Sequence, residues 1–63
     1  MFKENFTSLR KILNISQETL AEKINVSRQT ISKWETGESV PDIDKAIKLA
    51  EIFNVSLDDL INF

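Results

Sequence analysis

Apolar residues recur every three or four positions along most of the 63-residue chain, which is typical of amphipathic helices. The spacing predicts longer helices over about 3–13 and 43–53, and shorter ones over about 17–24, 28–35 and 57–61. No stretch shows the alternating pattern of a strand, so the sequence predicts an all-α fold of five helices. The apolar positions of the two longer helices are Phe2, Phe6, Leu9 and Leu13, and Ile43, Ala46, Ile47, Ala50 and Phe53.

A serine or an aspartate stands directly before four of the predicted helices. In that position its side-chain oxygen accepts a hydrogen bond from a free N–H of the first helical turn. At the second and third helices an apolar residue precedes the serine and another follows it by four positions, which is the hydrophobic staple of helix starts. Asn25, in the corner between these helices, tolerates a left-handed backbone, and Gly37 is placed to end the third helix. The four capping residues are Ser16, Ser27, Asp42 and Ser56.

The second and third helices, joined by a corner of about three residues, form the pattern of a DNA-binding helix-turn-helix. Ile31 and Trp34 lie three positions apart in the third helix and are expected to face the core. The opposite side is polar and suits a DNA groove, because Arg and Lys donate to guanine O6 and N7 and Gln pairs with adenine N6 and N7. An ordinary solvated helix face is the alternative. The candidate base contacts are Arg28, Gln29, Ser32 and Lys33.

The overall charge argues against nucleic-acid binding. The chain carries a net charge of −2 and has a pI near 4.9, whereas a basic patch is expected of such a protein. The charge is uneven, however: residues 1–34 hold six basic and three acidic side chains, and residues 35–63 hold two basic and seven acidic ones. Because local charge decides docking, the positive half that contains the helix-turn-helix is compatible with DNA.

Length and composition narrow the remaining classes. Sixty-three residues predict a single domain over 1–63. The chain has no cysteine and no histidine, which excludes disulfides and zinc ligation by those side chains; no metal or cofactor is expected, and a cytoplasmic location fits. No apolar run is long enough for a membrane span or a signal peptide. The sequence has no evident pair of acids and no phosphate-binding glycine loop, and no deep pocket is expected in 63 residues, so an enzyme is not expected.

Short motifs spread over most of the chain resemble those of the Cro/phage-repressor class of helix-turn-helix regulators, also called the XRE family. The resemblance implies a compact five-helix, lambda-repressor-like domain that binds double-stranded operator DNA, commonly as a homodimer on a palindromic site. The chain departs from the family at Asn25, where glycine is common, and it has no residues for the second domain of many members. The motifs are Ser16-Gln17-Glu18, Leu20-Ala21-Glu22, Val26-Ser27-Arg28-Gln29-Thr30-Ile31, Trp34-Glu35, Gly37, Pro41, Leu49-Ala50 and Val55-Ser56-Leu57-Asp58-Asp59-Leu60.

The resemblance also places contacts to the DNA backbone. The start of the second helix points at the DNA in this family, so Gln17 and the nearby amides are expected to hold a phosphate. The loop after the third helix is expected to offer backbone N–H groups. Trp34 is expected in the core with its indole N–H at the rim, and Thr30 is expected to combine packing with a phosphate contact. The expected phosphate contacts are Gln17, Thr30, Trp34, Thr36, Gly37 and Ser39.

The matching positions in the resembled family imply a largely buried ion pair between Arg10 and Glu35, which ties the first helix to the end of the third. Nothing local favours Glu35, because an acidic residue at the C-terminal end of a helix opposes the helix dipole. An arginine partner resolves that conflict, whereas an exposed glutamate is the alternative.

The C-terminus is more apolar than a short terminal helix requires, which indicates a self-association surface. Two functions stay open. The first is a sequence-specific transcriptional regulator, a repressor that blocks polymerase by occupancy, with the helix over 28–35 in the major groove. The second is a protein-binding module, such as a helix-turn-helix antitoxin or adaptor whose apolar C-terminal patch binds another protein. The expected dimerisation residues are Leu57, Leu60, Ile61 and Phe63.

Overall fold

The computed structural model describes residues 2–61, which form five α-helices and no strand. This confirms the all-α class that the apolar spacing predicts. The first helix begins and ends one residue earlier than expected, so Leu13 belongs to the turn that follows it. The third helix is one residue longer than expected, so Thr36 is helical and not part of a loop. None of these helices is both long and apolar enough to cross a bilayer. The helices are α1 (Phe2–Ile12), α2 (Gln17–Ile24), α3 (Arg28–Thr36), α4 (Ile43–Phe53) and α5 (Leu57–Ile61).

Three helix junctions use the same local device. After α1, α2 and α4 the chain passes through an asparagine in the left-handed region, with φ between 58° and 61°. The N–H of the next, β-branched residue donates to a carbonyl five residues earlier over 3.0–3.4 Å, and the serine that follows accepts from the N–H three residues ahead over 3.0–3.2 Å. Each triplet therefore ends one helix and starts the next. The triplets are Asn14-Ile15-Ser16, Asn25-Val26-Ser27 and Asn54-Val55-Ser56.

A single apolar core joins all five helices. The ring of Phe6, fully buried on α1, meets Trp34 of α3 edge-on with centroids 6.0 Å apart and Phe53 of α4 with centroids 5.8 Å apart. Edge-to-face pairs at this spacing stabilise the core beyond the area they bury. The first helix thus fixes α3 against the rest of the domain. The core residues are Phe6, Leu20, Ala21, Ile24, Ile31, Trp34, Leu49, Ala50, Phe53 and Leu60.

The apolar stripe predicted for α4 is rotated from the face that is buried. Ile43 and Ile47 are 59% and 44% exposed, whereas Leu49, absent from the predicted stripe, is fully buried. The reason is the direction of packing: α4 contacts α2 and α5, and the face toward them carries Ala46, Leu49, Ala50 and Phe53. Two isoleucines are therefore left at the surface of the domain.

The structure also corrects the expected dimerisation surface on α5. Leu60 is fully buried in the domain's own core, because α5 is too short to cover the core without it, so it contributes no area to a second copy. Leu57 is half-buried, Ile61 is 37% exposed, and Phe63 lies outside the described residues. Ile61 lines an apolar hollow of about 170 Å³ whose other lining residues are Phe2, Val40, Pro41 and Ala46.

Candidate nucleic-acid interface

The polar face of α3 is directed away from the core. Ile31 and Trp34 are 0% and 4% exposed, which confirms the predicted orientation of the helix. The residues between and before them reach the surface: Arg28, Gln29 and Lys33 are exposed, and Ser32 is half-buried. The helix therefore presents two cationic side chains and one amide to solvent, all of which donate hydrogen bonds.

Arg10 and Glu35 meet in an ion pair that joins α1 to the end of α3. The Arg10 Nε donates to Glu35 Oε2 over 2.5 Å, and Arg10 Nη2 lies 3.4 Å from Glu35 Oε1. The two side chains are only 14% and 11% exposed. Arg10 Nη1 also donates to the carbonyl oxygen of Ile15 over 2.8 Å, so the same guanidinium holds the corner that precedes α2. The fork of one arginine thus positions the two helices of the helix-turn-helix relative to α1.

Gln17 is part of the same network, a link that the sequence reasoning missed. Its Nε2 donates to Glu35 Oε1 over 3.0 Å, and its Oε1 accepts from Arg28 Nη1 over 3.4 Å. Among residues 2–61 the second Nε2 hydrogen has no acceptor. The available signal was chemical: a carboxylate accepts more hydrogen bonds than one arginine supplies, so Glu35 required a further donor.

The loop after α3 uses its backbone N–H groups internally. The N–H groups of Gly37, Glu38 and Ser39 all point at the carbonyl oxygen of Lys33, the last two over 3.0 and 3.4 Å, and the Thr36 hydroxyl donates to the same oxygen over 3.2 Å. Gly37, with φ of +84°, turns the chain back so that these donors satisfy the end of the helix. These amides therefore already have an acceptor inside the domain, whereas the Ser39 hydroxyl has no partner among residues 2–61.

Thr30 and Trp34, two other expected phosphate contacts, differ in whether their donor is already used. The Thr30 hydroxyl lies 3.0 Å from the Ser27 hydroxyl at the start of α3, so it is already hydrogen-bonded. Trp34 is buried, but its indole N–H donates to no residue among 2–61, where no buried side-chain nitrogen lacks a partner. The indole N–H therefore reaches the surface and is available to an acceptor outside the domain.

Lys3 is a cation at this surface that the sequence reasoning did not single out. Its side chain lies across Gly37, with Cδ 3.1 Å and Nζ 3.6 Å from the point that a Cβ on Gly37 would occupy. The first turn of α1 thus brings a positive charge to the C-terminal end of α3. No local pattern places Lys3 there, because the approach depends on how α1 packs on α3.

Comparison with known proteins identifies the family of the chain. Residues 8–60 match the helix-turn-helix family model, so the chain belongs to this family, and the resemblance to the Cro/phage-repressor (XRE) class is confirmed. The chain is 39% identical over 61 residues to the HTH-type transcriptional activator BcrR of Enterococcus faecalis, covering 97% of this chain and 30% of BcrR. It is 33% identical over 58 residues to the phage CTXphi transcriptional repressor RstR of Vibrio cholerae, covering 92% of this chain and 52% of RstR.

A solved structure shows the same fold. The crystal structure of a transcriptional regulator from Listeria innocua superposes with a TM-score of 0.94 at 36% sequence identity, covering 100% of this chain and 59% of that one. The chain therefore spans between about a third and three fifths of the length of these three proteins.

Proposed function

We propose that this chain is the DNA-binding part of a transcriptional regulator, which reads double-stranded DNA by placing α3 in the major groove. The observation that carries the proposal is the division of α3: Ile31 and Trp34 are buried, and the residues beside them expose donors suited to base edges. Names of related proteins support it, since BcrR is described as a transcriptional activator and RstR as a transcriptional repressor.

Within this proposal the exposed side chains of α3 read the bases. Gln29 is the residue best suited to adenine, because its carboxamide pairs with both N6 and N7. Lys33 donates to guanine, and the half-buried Ser32 contributes a short hydroxyl contact. Arg28, at the start of the helix, donates to guanine or to a phosphate. Together these four residues set the sequence preference of the domain.

Backbone contacts come from the rim of the same surface. Among residues 2–61, the donors that remain after the internal hydrogen bonds are counted include the second Nε2 hydrogen of Gln17, the indole N–H of Trp34 and the hydroxyl of Ser39. Lys3 adds a positive charge beside Gly37. Thr30, Thr36 and Gly37 contribute less than their sequence positions suggest. Such contacts fix the register of the protein on the duplex without reading its sequence.

We propose that the regulator represses transcription by occupancy, in which the bound domain blocks polymerase. In this proposal the domain needs no cofactor, catalyses no reaction and acts in the cytoplasm. BcrR is an activator and RstR a repressor, so the sign of regulation is a proposal separate from DNA binding.

Selection of duplexes from a random pool tests the DNA-binding proposal. A shared motif that shifts the protein at moderate salt is expected, and retention at low salt only, without a motif, contradicts sequence-specific reading.

A protein-binding module is the second candidate function. It is favoured by Val40, Ile43 and Ile47, which are 72%, 59% and 44% exposed and lie together in the loop and the first turns of α4. Val40 lines the same apolar hollow as Ile61, so this location adjoins the C-terminal patch that the sequence suggested. If the random pool yields no bound duplex while an apolar probe dye binds and is lost in Ile43→Ser, the second candidate is favoured.

Dimerisation on a palindromic operator forms part of the proposal. The two copies of α3 are expected about 34 Å apart, one turn of B-DNA, and Leu57 and Ile61 with the neighbouring apolar hollow supply the contact. Ile61→Asp is expected to convert two-site binding into single half-site binding, measured by sedimentation of the protein on operator DNA. Ile12→Asp is the control, since Ile12 is 76% exposed and lies outside the hollow. A strict monomer of the parent protein on a palindromic operator contradicts the dimer.

Lys33→Ala is expected to weaken binding to operator and to random duplex, because its charge attracts backbone as well as bases. The slope of log affinity against log salt is expected to flatten by about one unit. The measurement is affinity at several salt concentrations on both duplexes. Lys48→Ala is a matched control, since Lys48 is also an exposed lysine, on α4. An equal change in slope for both variants shows that Lys33 makes no local contact.

A further inference from the structure

Donors and acceptors alternate along one chain of side chains that crosses the helix-turn-helix. Arg10 donates to Glu35, Glu35 accepts from Gln17, and Gln17 accepts from Arg28. The chain begins inside the domain, where Arg10 and Glu35 are nearly buried, and ends at an exposed side chain on the reading helix. It therefore connects the packed interior with the surface proposed to meet DNA.

Chemistry allows the Gln17 carboxamide only one orientation in this chain. A carboxylate only accepts hydrogen bonds and a guanidinium only donates them. The Gln17 Nε2 must then face Glu35, 3.0 Å away, and the Oε1 must face Arg28, 3.4 Å away. The opposite orientation places two acceptors together at Glu35 and two donors together at Arg28.

We propose that Glu35 is a positioning residue for DNA reading, which orients Gln17 and, through Gln17, holds Arg28 at the start of α3. The inference rests on the proposed function and adds a role to the ion pair beyond stability. Arg10 holds the Glu35 carboxylate in place through two hydrogen bonds. Glu35 in turn fixes the orientation of the Gln17 carboxamide, and that carboxamide holds Arg28. The second Nε2 hydrogen of Gln17 stays free, so one carboxamide both binds a phosphate and aims the neighbouring arginine.

A double-mutant cycle between Gln17 and Arg28 tests the link at the surface without touching the ion pair. Affinities of Gln17→Ala, Arg28→Ala and the double variant are measured on the selected operator and on random duplex. The double variant is expected to bind the operator about 5-fold better than the product of the single losses requires, because Gln17→Ala already releases Arg28. Coupling confined to the operator shows that the held arginine reads a base, and coupling on both duplexes shows that it meets a phosphate.

Gln17 and Gln29 provide the matched control cycle. Gln29 is exposed on α3, and its side chain makes no hydrogen bond of the network among residues 2–61. The fold-losses in operator affinity caused by Gln17→Ala and Gln29→Ala are therefore expected to multiply in the double variant. Multiplicative losses for Gln17 and Arg28 as well, on both duplexes, overturn the proposal.

Glu35→Gln tests the interior end. The substitution keeps the shape of the side chain but leaves it one oxygen, which is expected to stay with the charged Arg10 because that bond is the stronger. The new NH2 group then faces Gln17, so Gln17 is expected to turn and repel Arg28. Operator affinity per folded molecule is expected to fall about 5-fold, and this fall is expected to vanish in the Gln17→Ala background. Affinity per folded molecule that is unchanged in Glu35→Gln, or that falls by the same factor in both backgrounds, overturns the proposal.

The DNA-free protein offers a second readout. In an NMR spectrum the two side-chain amide protons of Gln17 are expected to resonate far apart, since one is bonded to a carboxylate, and to converge in Glu35→Gln. Unchanged shifts in that variant overturn the proposal. This measurement needs no DNA, so it separates the two failures: absence of any selected duplex sinks the proposed function, whereas unchanged amide shifts or absent coupling sink the positioning role alone.

Discussion

Arg10→Met is expected to lower the free energy of unfolding by about 3–5 kcal/mol, because it leaves the carboxylate of Glu35 almost buried without its partner. The low exposure of both side chains, 14% and 11%, puts the pair in the regime where an uncompensated charge is costly. The variant also loses the bond from Arg10 to the Ile15 carbonyl oxygen, which adds to the cost. Denaturant unfolding followed by helical circular dichroism measures the change.

Two further variants show which part of that loss is charge. Combining Arg10→Met with Glu35→Met leaves no isolated charge, so the double variant is expected to recover part of the stability lost in the single one. Arg10→Lys keeps the charge but loses the fork, and an intermediate stability is expected. If Arg10→Met unfolds at the same midpoint as the parent, the pair does not stabilise the domain.

Gln29→Ala is expected to lower affinity for the operator by about 1–3 kcal/mol and to change affinity for random duplex little. A lost bidentate contact to adenine removes discrimination, whereas the backbone contacts that hold random DNA stay in place. Gln29 is exposed and outside the core, so unfolding of the free domain is expected to be unaffected. The measurement is affinity for both duplexes at one moderate salt concentration.

Equal losses on the two duplexes for Gln29→Ala would show that this residue does not read sequence, and would weaken the assignment of α3 as the reading helix. Repeating the operator selection with the variant sharpens the result. The position of the motif that loses its preference identifies the base pair that Gln29 contacts.

Helix boundaries were predictable because their causes are local. Ser16, Ser27 and Ser56 each satisfy an N–H three residues ahead, and such a bond depends on nothing outside one helical turn. Asn25 was expected in a left-handed corner for the same reason. The matching roles of Asn14 and Asn54 were missed, although the repeated triplet of asparagine, β-branched residue and serine was present in the sequence as their signal.

The orientation of α3 was also predictable, since helical spacing puts Ile31 and Trp34 on one side and the polar residues on the other. The partners of the ion pair came from the family resemblance and not from spacing. Glu35 conflicts with its own helix dipole, which indicated that a partner was needed but left its identity open.

The helices, their caps and the polar side of α3 can be predicted from the amino-acid order alone, because each follows from bonds and periodicity within a few residues. The exposure of Ile43 and Ile47, the burial of Leu60 and the approach of Lys3 to Gly37 depend instead on how the helices pack. The tertiary structure also places Gln17 between Glu35 and Arg28, which are distant in sequence. These contacts depend on how the helices pack, and the packing is set by the shape of the whole core. A local sequence pattern therefore cannot predict them.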